Sequence, residues 1–277
     1  MIVAEDLAFG EGPRWHDGSL WWSDMHGKTV CRLVDGEAAT VCHVPGRPSG
    51  LGWLPDGRML VVSMTDRRVL RLEPDGRLAT HADLSHLAPR RCNDMVVDRE
   101  GRAYVGNFGF ELDGVEKPRT TVLILVEPDG SARIAADELL FPNGAVITPD
   151  GKTLVVGETM AGRLTAFDVA ADGGLSNRRL WAELPNGAWP DGICLDADGA
   201  IWVASPTTAD CLRVREGGEV LQRIETGRGA YACMLGGADR RTLFICTADS
   251  HDPDRQAAER NARIEAFVVE TPGAGLP

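Results

Sequence analysis

No apolar run in this 277-residue chain approaches the roughly 18 to 20 residues needed to cross a bilayer. There is no Lys/Arg-rich run, and the net charge is −12, which argues against nucleic acid or an anionic membrane as the main partner. There is no C-x-x-C pair. The seven cysteines, an odd number, lie scattered in apolar stretches and read as free, buried thiols in a reducing cytoplasm. The first residues, MIVAEDLAFGEGP, carry acids early and no basic segment, so no secretory signal peptide is expected. What is present is enough apolar material, 43%, for a sizeable core, and 32 glycines, which suit many tight turns. The length allows one large all-β domain or two ordinary ones.

A repeat decides between them. The stretch PDGICLDADGAIWVAS (residues 190–205) reads as a strand, an Asp-Gly turn and a second strand that is apolar on both faces and must be covered on both sides. The same unit begins near residues 12, 50, 93, 143 and 233. Its turn residues, Gly18, Gly57, Gly101, Gly151, Gly199 and Arg241, are spaced by 39, 44, 50, 48 and 42 residues, the period of propeller blades. Six third strands follow (the first TVCRLV, the last RIEAFVV at 263–269), but only five fourth strands. Residues 2–8 supply the missing one. The expected fold is all-β: one six-bladed β-propeller over residues 1–277, with four-stranded blades and the N-terminal strand completing the last. The stretches 107–120 and 250–261 are the long irregular segments, and the polar second one is read as a surface loop.

In a propeller the innermost strands line a channel, so equivalent positions form a ring. Counting back from each turn places Glu11, Ser49, Asn93, Asn143, Asp191 and Cys233 in that ring. Two carboxylates converging in a narrow channel repel and lose hydration unless neutralised. An oxygen-rich ring suits a hard divalent cation such as calcium, magnesium or manganese, and disfavours structural zinc. Taken singly, an Asp or Asn before Gly is a turn residue. Asp17, Asp56, Asp75, Asp129, Asp150 and Asp198 are assigned that role. No His shares the ring register, so Ser49 and Cys233 have no visible base for nucleophilic catalysis. His251 is placed near the channel mouth; the other histidines are read as structural or exposed.

Several motifs together resemble the family of senescence marker protein, gluconolactonase and luciferin-regenerating enzyme. They are EGP (11–13) with Trp15, R-x-N-D (91–94), Asn143-Gly144, P-D-G-x-x-x-D (190–196), SNRR (176–179) and C-x-x-G-G (233–237). The resemblance covers essentially the whole chain. It implies a six-bladed propeller holding one divalent metal through Glu11, Asn143 and Asp191, with Arg91 and Asn93 on the substrate side. Calcium is the first expectation, and zinc, manganese, magnesium and iron are also associated with that family. The implied activity is hydrolysis of a lactone or related ester.

On that reading water activated at the metal attacks the carbonyl, Asp191 serves as general base, and Arg91 and Asn93 hold substrate oxygens. Arg91 also has a plainer role open to it, a surface salt bridge beside Arg90. The segment GNFGFELDG (106–114) departs from sugar-lactone relatives. Phe108 and Phe110 there are either an apolar wall of the site or loop anchors. Two other functions stay open: a non-catalytic metal-binding propeller that takes a ligand or protein, and an isomerase or lyase using the same metal site. The partner expected is a small-molecule lactone or ester.

Overall fold

A computed structural model describes residues 1–112, 116–185 and 187–274. Twenty-four strands are arranged as six four-stranded antiparallel sheets, the blades of a six-bladed β-propeller. Five blades run in sequence order from the channel outwards. Their innermost strands are Gly10–His16, Pro48–Trp53, Cys92–Val97, Pro142–Ile147 and Ile193–Leu195. The sixth blade is closed by both ends of the chain. Gly229–Gly236, Thr242–Ala248 and Ala262–Val268 come from the C-terminal part, and Ile2–Leu7 is its outermost strand. That N-terminal strand pairs Ile2 with Glu265, Ala4 with Ile264 and Leu7 with Ala262. Closing the ring through its first strand ties the two halves of the sequence together and leaves no open end.

The alternation of apolar positions explains the layering. Second strands such as Met59–Ser63, Ala103–Asn107 and Ile201–Ser205 are buried along their whole length, because neighbouring blades cover both faces. Outermost strands such as Glu37–His43 and Ala132–Leu139 are largely exposed. Inner strands pack backbone to backbone, and glycine makes this possible. A Cβ on Gly144 would stand 2.6 Å from the Asp191 carbonyl oxygen in the next blade, closer than real contacts allow.

The hairpin aspartates do what their sequence positions indicate. Asp56, Asp75, Asp129 and Asp150 each accept from the backbone N–H two residues on, at 2.9 to 3.1 Å. In blade 5 that role falls to Asp196, which accepts from the N–H groups of Asp198 and Ala200, while Asp198 reaches Arg213 at 2.9 Å. The stretch 250–261, expected as a plain loop, contains a helix, Pro253–Glu259. The Asp252 carboxylate caps it by accepting from Arg255 N–H at 2.8 Å, Pro253 opens it, and Gln256 is buried beneath it. Within the other long stretch, residues 113–115 lie outside the described residues. Among the described residues no helix is long and apolar enough to cross a membrane.

Candidate active site at the channel mouth

The innermost strands enter the channel at the same end, and in five of the six blades the pairing with the second strand slips just inside that end; in blade 5 the short strand Ile193–Leu195 pairs regularly and Asp191 lies just ahead of it. The slip lies between Glu11 and Arg14, Pro48 and Leu51, Cys92 and Met95, Pro142 and Ala145, and Ala230 and Ala232. A bulge re-aims the side chain it carries. The residues at or beside these slips, together with Asp191, form a ring of side chains around the mouth.

Glu11, Asn143 and Asp191 come together there. The Asn143 amide nitrogen donates to Asp191 Oδ1 at 2.7 Å and to Thr159 Oγ1 at 3.2 Å, and Thr159 in turn donates to the Pro190 carbonyl at 2.7 Å. Glu11 is buried and, among the described residues, accepts only from the adjacent Gly12 N–H, at 3.2 Å. Burial raises the Glu11 pKa well above the usual range, and the nearby Asp191 and Asp94 carboxylates raise it further. Asp191 is pushed up to about 8 by burial; the Asn143 hydrogen bond works against that rise and Asp94 adds to it. Among the described residues no three His, Cys, Asp or Glu side chains form a metal-binding cluster. The donor set at the mouth is two carboxylates and an amide.

Asn93 and Arg91 lie in the next blade. Asn93 is buried, and among the described residues its amide has no hydrogen-bond partner. Arg91 is half-buried at the rim and pairs with Glu111 Oε2 at 3.2 Å, so its guanidinium is already held by a carboxylate. Ser49 completes the ring on that side, with its buried hydroxyl unpartnered among the described residues.

The sixth ring position is not Cys233. The amide of Gly144 donates to the Asp191 carbonyl at 3.2 Å, and the amide of Gly192 donates in the same way to the Tyr231 carbonyl at 2.8 Å. Tyr231 is therefore the counterpart of Asp191. Its pKa is pushed to about 12 by burial, and the Asp191 and Glu11 charges push it the same way. Cys233 stands two residues deeper, in the apolar core between blades 5 and 6, with its sulfur 3.8 Å from Cys194 Sγ. Counting back from Arg241 failed because this blade's inner strand runs eight residues, Gly229–Gly236, where those of blades 2 to 4 run six.

Two further residues escaped the sequence reading. Gly12, Gly50, Gly144 and Gly192 follow the ring residue in four blades, but in blade 3 that place is taken by Asp94. Its carboxylate meets Arg14 Nη2 at 2.7 Å in a buried pair. Arg14 also donates to the carbonyls of Pro13, Leu51 and Met95, and so stitches the inner strands of three blades below the mouth. The break in the Gly pattern was visible in the sequence; its purpose was not.

Other expectations resolve as structure. Phe108 and Phe110 are buried with Phe141, their ring centroids 4.5 and 5.8 Å from it, and act as anchors of the segment. That packing is what the anchor reading expects. Arg178 of the SNRR motif bonds the Glu138 carbonyl and the buried Glu158 carboxylate, and Arg179 bonds the Asp168 carboxylate. His251 is exposed at the start of the segment that carries the short helix.

The fold and site define a six-bladed propeller with an acidic, amide-bearing ring at one end of its channel. The chain belongs to the SMP-30/gluconolactonase/LRE-like family, whose model matches residues 9–249. It is 27% identical over 264 residues to regucalcin of Danio rerio, covering 89% of this chain and 85% of the relative. To L-arabinolactonase of Azospirillum brasilense it is 26% identical over 281 residues, covering 96% and 90%. Among solved structures, a calcium-binding regucalcin from Agrobacterium tumefaciens superposes with a TM-score of 0.83 at 23% identity, covering 100% of this chain and 95% of that one.

Proposed function

We propose that this protein is a lactone hydrolase that works with one divalent cation, calcium first, held by Glu11, Asn143 and Asp191. The observation that carries the reading is the pair of carboxylates at the mouth, buried Glu11 and half-buried Asp191, with no cationic side chain paired to either among the described residues. An all-oxygen donor set of this kind suits a hard cation. Asn143 would serve it by presenting its amide oxygen. The lactonase names of relatives such as L-arabinolactonase support the reaction class, and the calcium-binding regucalcin supports the choice of ion. The substrate is then a small sugar lactone. Residues 1–277 act as one domain, and seven free, buried cysteines fit a cytoplasmic setting.

When bound, the cation supplies the charge that ionises both carboxylates and polarises the ester carbonyl. The remaining chemistry belongs to the chain. Asn93 and Arg91 hold substrate oxygens at the mouth, with Arg91 fixed in place by Glu111. Asp191 Oδ1 accepts from Asn143 and has a second lone pair to offer the cation, so Oδ2 is the atom that takes the proton from the attacking water. As the new C–O bond forms, the ring C–O bond breaks, and the departing alkoxide takes that proton back to give the open hydroxy acid. The Tyr231 phenol, neutral throughout, donates a hydrogen bond to the departing ring oxygen. A panel of sugar lactones assayed after chelation, and again after adding calcium, manganese, magnesium or zinc, tests the reading. Turnover lost on chelation and restored by a metal is expected. Turnover indifferent to chelation, or none with any lactone and any metal, would sink it.

A further inference from the structure

After the outer strand of blade 4, Leu175–Glu183, the chain returns along the mouth end to the ring residue Asp191 and the inner strand of blade 5. The last part of that return is fastened from both sides. Trp189 N–H donates to Ser205 Oγ and to Thr207 Oγ1, each at 3.2 Å, and Asp191 N–H donates to the Ala204 carbonyl at 3.0 Å, all in blade 5. Between them the Pro190 carbonyl accepts from Thr159 Oγ1 of blade 4 at 2.7 Å. Burial alternates along this segment. Ala188, Pro190 and Gly192 are buried, whereas Trp189 is exposed and Asp191 half-buried. Trp189 precedes a proline, which keeps its backbone extended. In an extended chain alternate side chains share a face. Trp189 and Asp191 thus stand on one face, the one that opens at the mouth, with their Cα atoms about 7 Å apart.

Trp189 is 40% exposed, and among the described residues its indole has neither a hydrogen bond nor a ring contact. The six other tryptophans are buried or half-buried, and no other large exposed hydrophobic side chain among the described residues is aromatic. A rigid apolar plate is therefore left open to water two residues from the carboxylate that serves the reaction. Such a plate suits the C–H face of a sugar ring, which is apolar although its rim of hydroxyls is polar.

We propose that Trp189 is a specificity-determining residue, whose indole covers the C–H face of a sugar lactone at the end away from the carbonyl that Asp191 serves. This rests on the lactonase reading and names what selects the sugar. γ-Butyrolactone, which has no carbon beyond its small ring, is too short to reach from Asp191 to the indole. Trp189→Ala should lower kcat/KM for glucono-1,5-lactone roughly 10-fold, mostly through KM, because the contact is made alike in the ground and transition states. Turnover of γ-butyrolactone should stay within about 2-fold. Trp189→Phe, with a smaller ring, should fall between for the sugar lactone. Both variants should melt within about 2 °C of the wild type, since the side chain is exposed and the segment is held by its backbone. An unchanged KM for glucono-1,5-lactone in Trp189→Ala, or an equal loss with both lactones, overturns the inference. If the wild type hydrolyses neither lactone, the lactonase reading has failed and the indole is tested by binding, with tryptophan emission followed on titration with D-glucose in the presence of calcium. An emission shift that Trp189→Phe lacks supports the contact. No shift, or the same shift in Trp189→Phe, overturns it.

Discussion

Two buried glutamates of this propeller meet opposite treatment. Glu158, at the end of a second strand, is fully buried. Burial raises its pKa, but Arg163 at 2.9 Å, Thr165 Oγ1 at 2.5 Å and the Leu140 N–H at 2.8 Å outweigh that, and the net shift is downward. Glu11, equally buried, faces two other carboxylates, and Arg14 enters only as its weakest influence. The first carboxylate is finished by its own chain. The second is left to be completed from outside, at a cost in stability that a purely structural site would not carry.

The sharpest way to break this comparison is at the proton-transfer step. Asp191→Asn can still offer an oxygen to a cation but cannot take a proton. Hydrolysis at saturating metal should fall by roughly 10² to 10⁴, the usual contribution of a positioned base. A metal-loaded variant that turns over lactone at the wild-type rate would place the base elsewhere.

The two glutamates themselves come next. Glu11→Gln should weaken calcium binding about 100-fold by calorimetry, yet stabilise the metal-free protein by about 1 kcal/mol in urea unfolding. Glu158→Gln should do the reverse. It should cost about 2 kcal/mol, discounted because Arg163 and Arg178 are each about a third exposed, and leave calcium affinity within about 2-fold. If both variants lose stability alike, the contrast between a satisfied and an unsatisfied carboxylate is wrong.

pH sharpens the same contrast. A carboxyl whose folded pKa lies above its unfolded value binds more protons when folded, so its stabilising contribution is present at low pH and lost as pH rises. For Asp191 the window runs from the ordinary 3.8 to about 8. Melting temperatures recorded with chelator and with calcium should therefore diverge as pH rises across that window. A constant gap would mean that the carboxylates are not what the cation satisfies.

The smallest expected effect belongs to Tyr231, one of the residues that the sequence reading missed. Tyr231→Phe should lower kcat/KM by about 10-fold, mostly in kcat, and leave calcium affinity unchanged, because the phenol contributes one hydrogen bond to the departing oxygen. A parallel loss of calcium affinity would make Tyr231 a ligand instead.

The propeller was legible in the sequence because blades repeat their turn chemistry. Asp-Gly hairpins at a steady period, and a missing fourth strand matched by a spare one at residues 2–8, fix the number of blades and the way they close. The ring positions Asn143 and Asp191 were legible for the same reason, since equal offsets from equal turns give equal depth in the channel, and Glu11 follows once the shorter first turn is allowed for. Where a blade departs from the common length the offset fails, and so Cys233 was named in place of Tyr231. The helix Pro253–Glu259 was missed because it is polar on nearly every face and is held by a cap and one buried Gln256. Periodicity along a chain sets strands, turns and register. Which carboxylate finds an arginine and which finds another carboxylate is set by side chains that meet from blades 40 to 180 residues apart, such as Arg14 with Asp94 and Glu11 with Asp191, and only the closed ring brings them together.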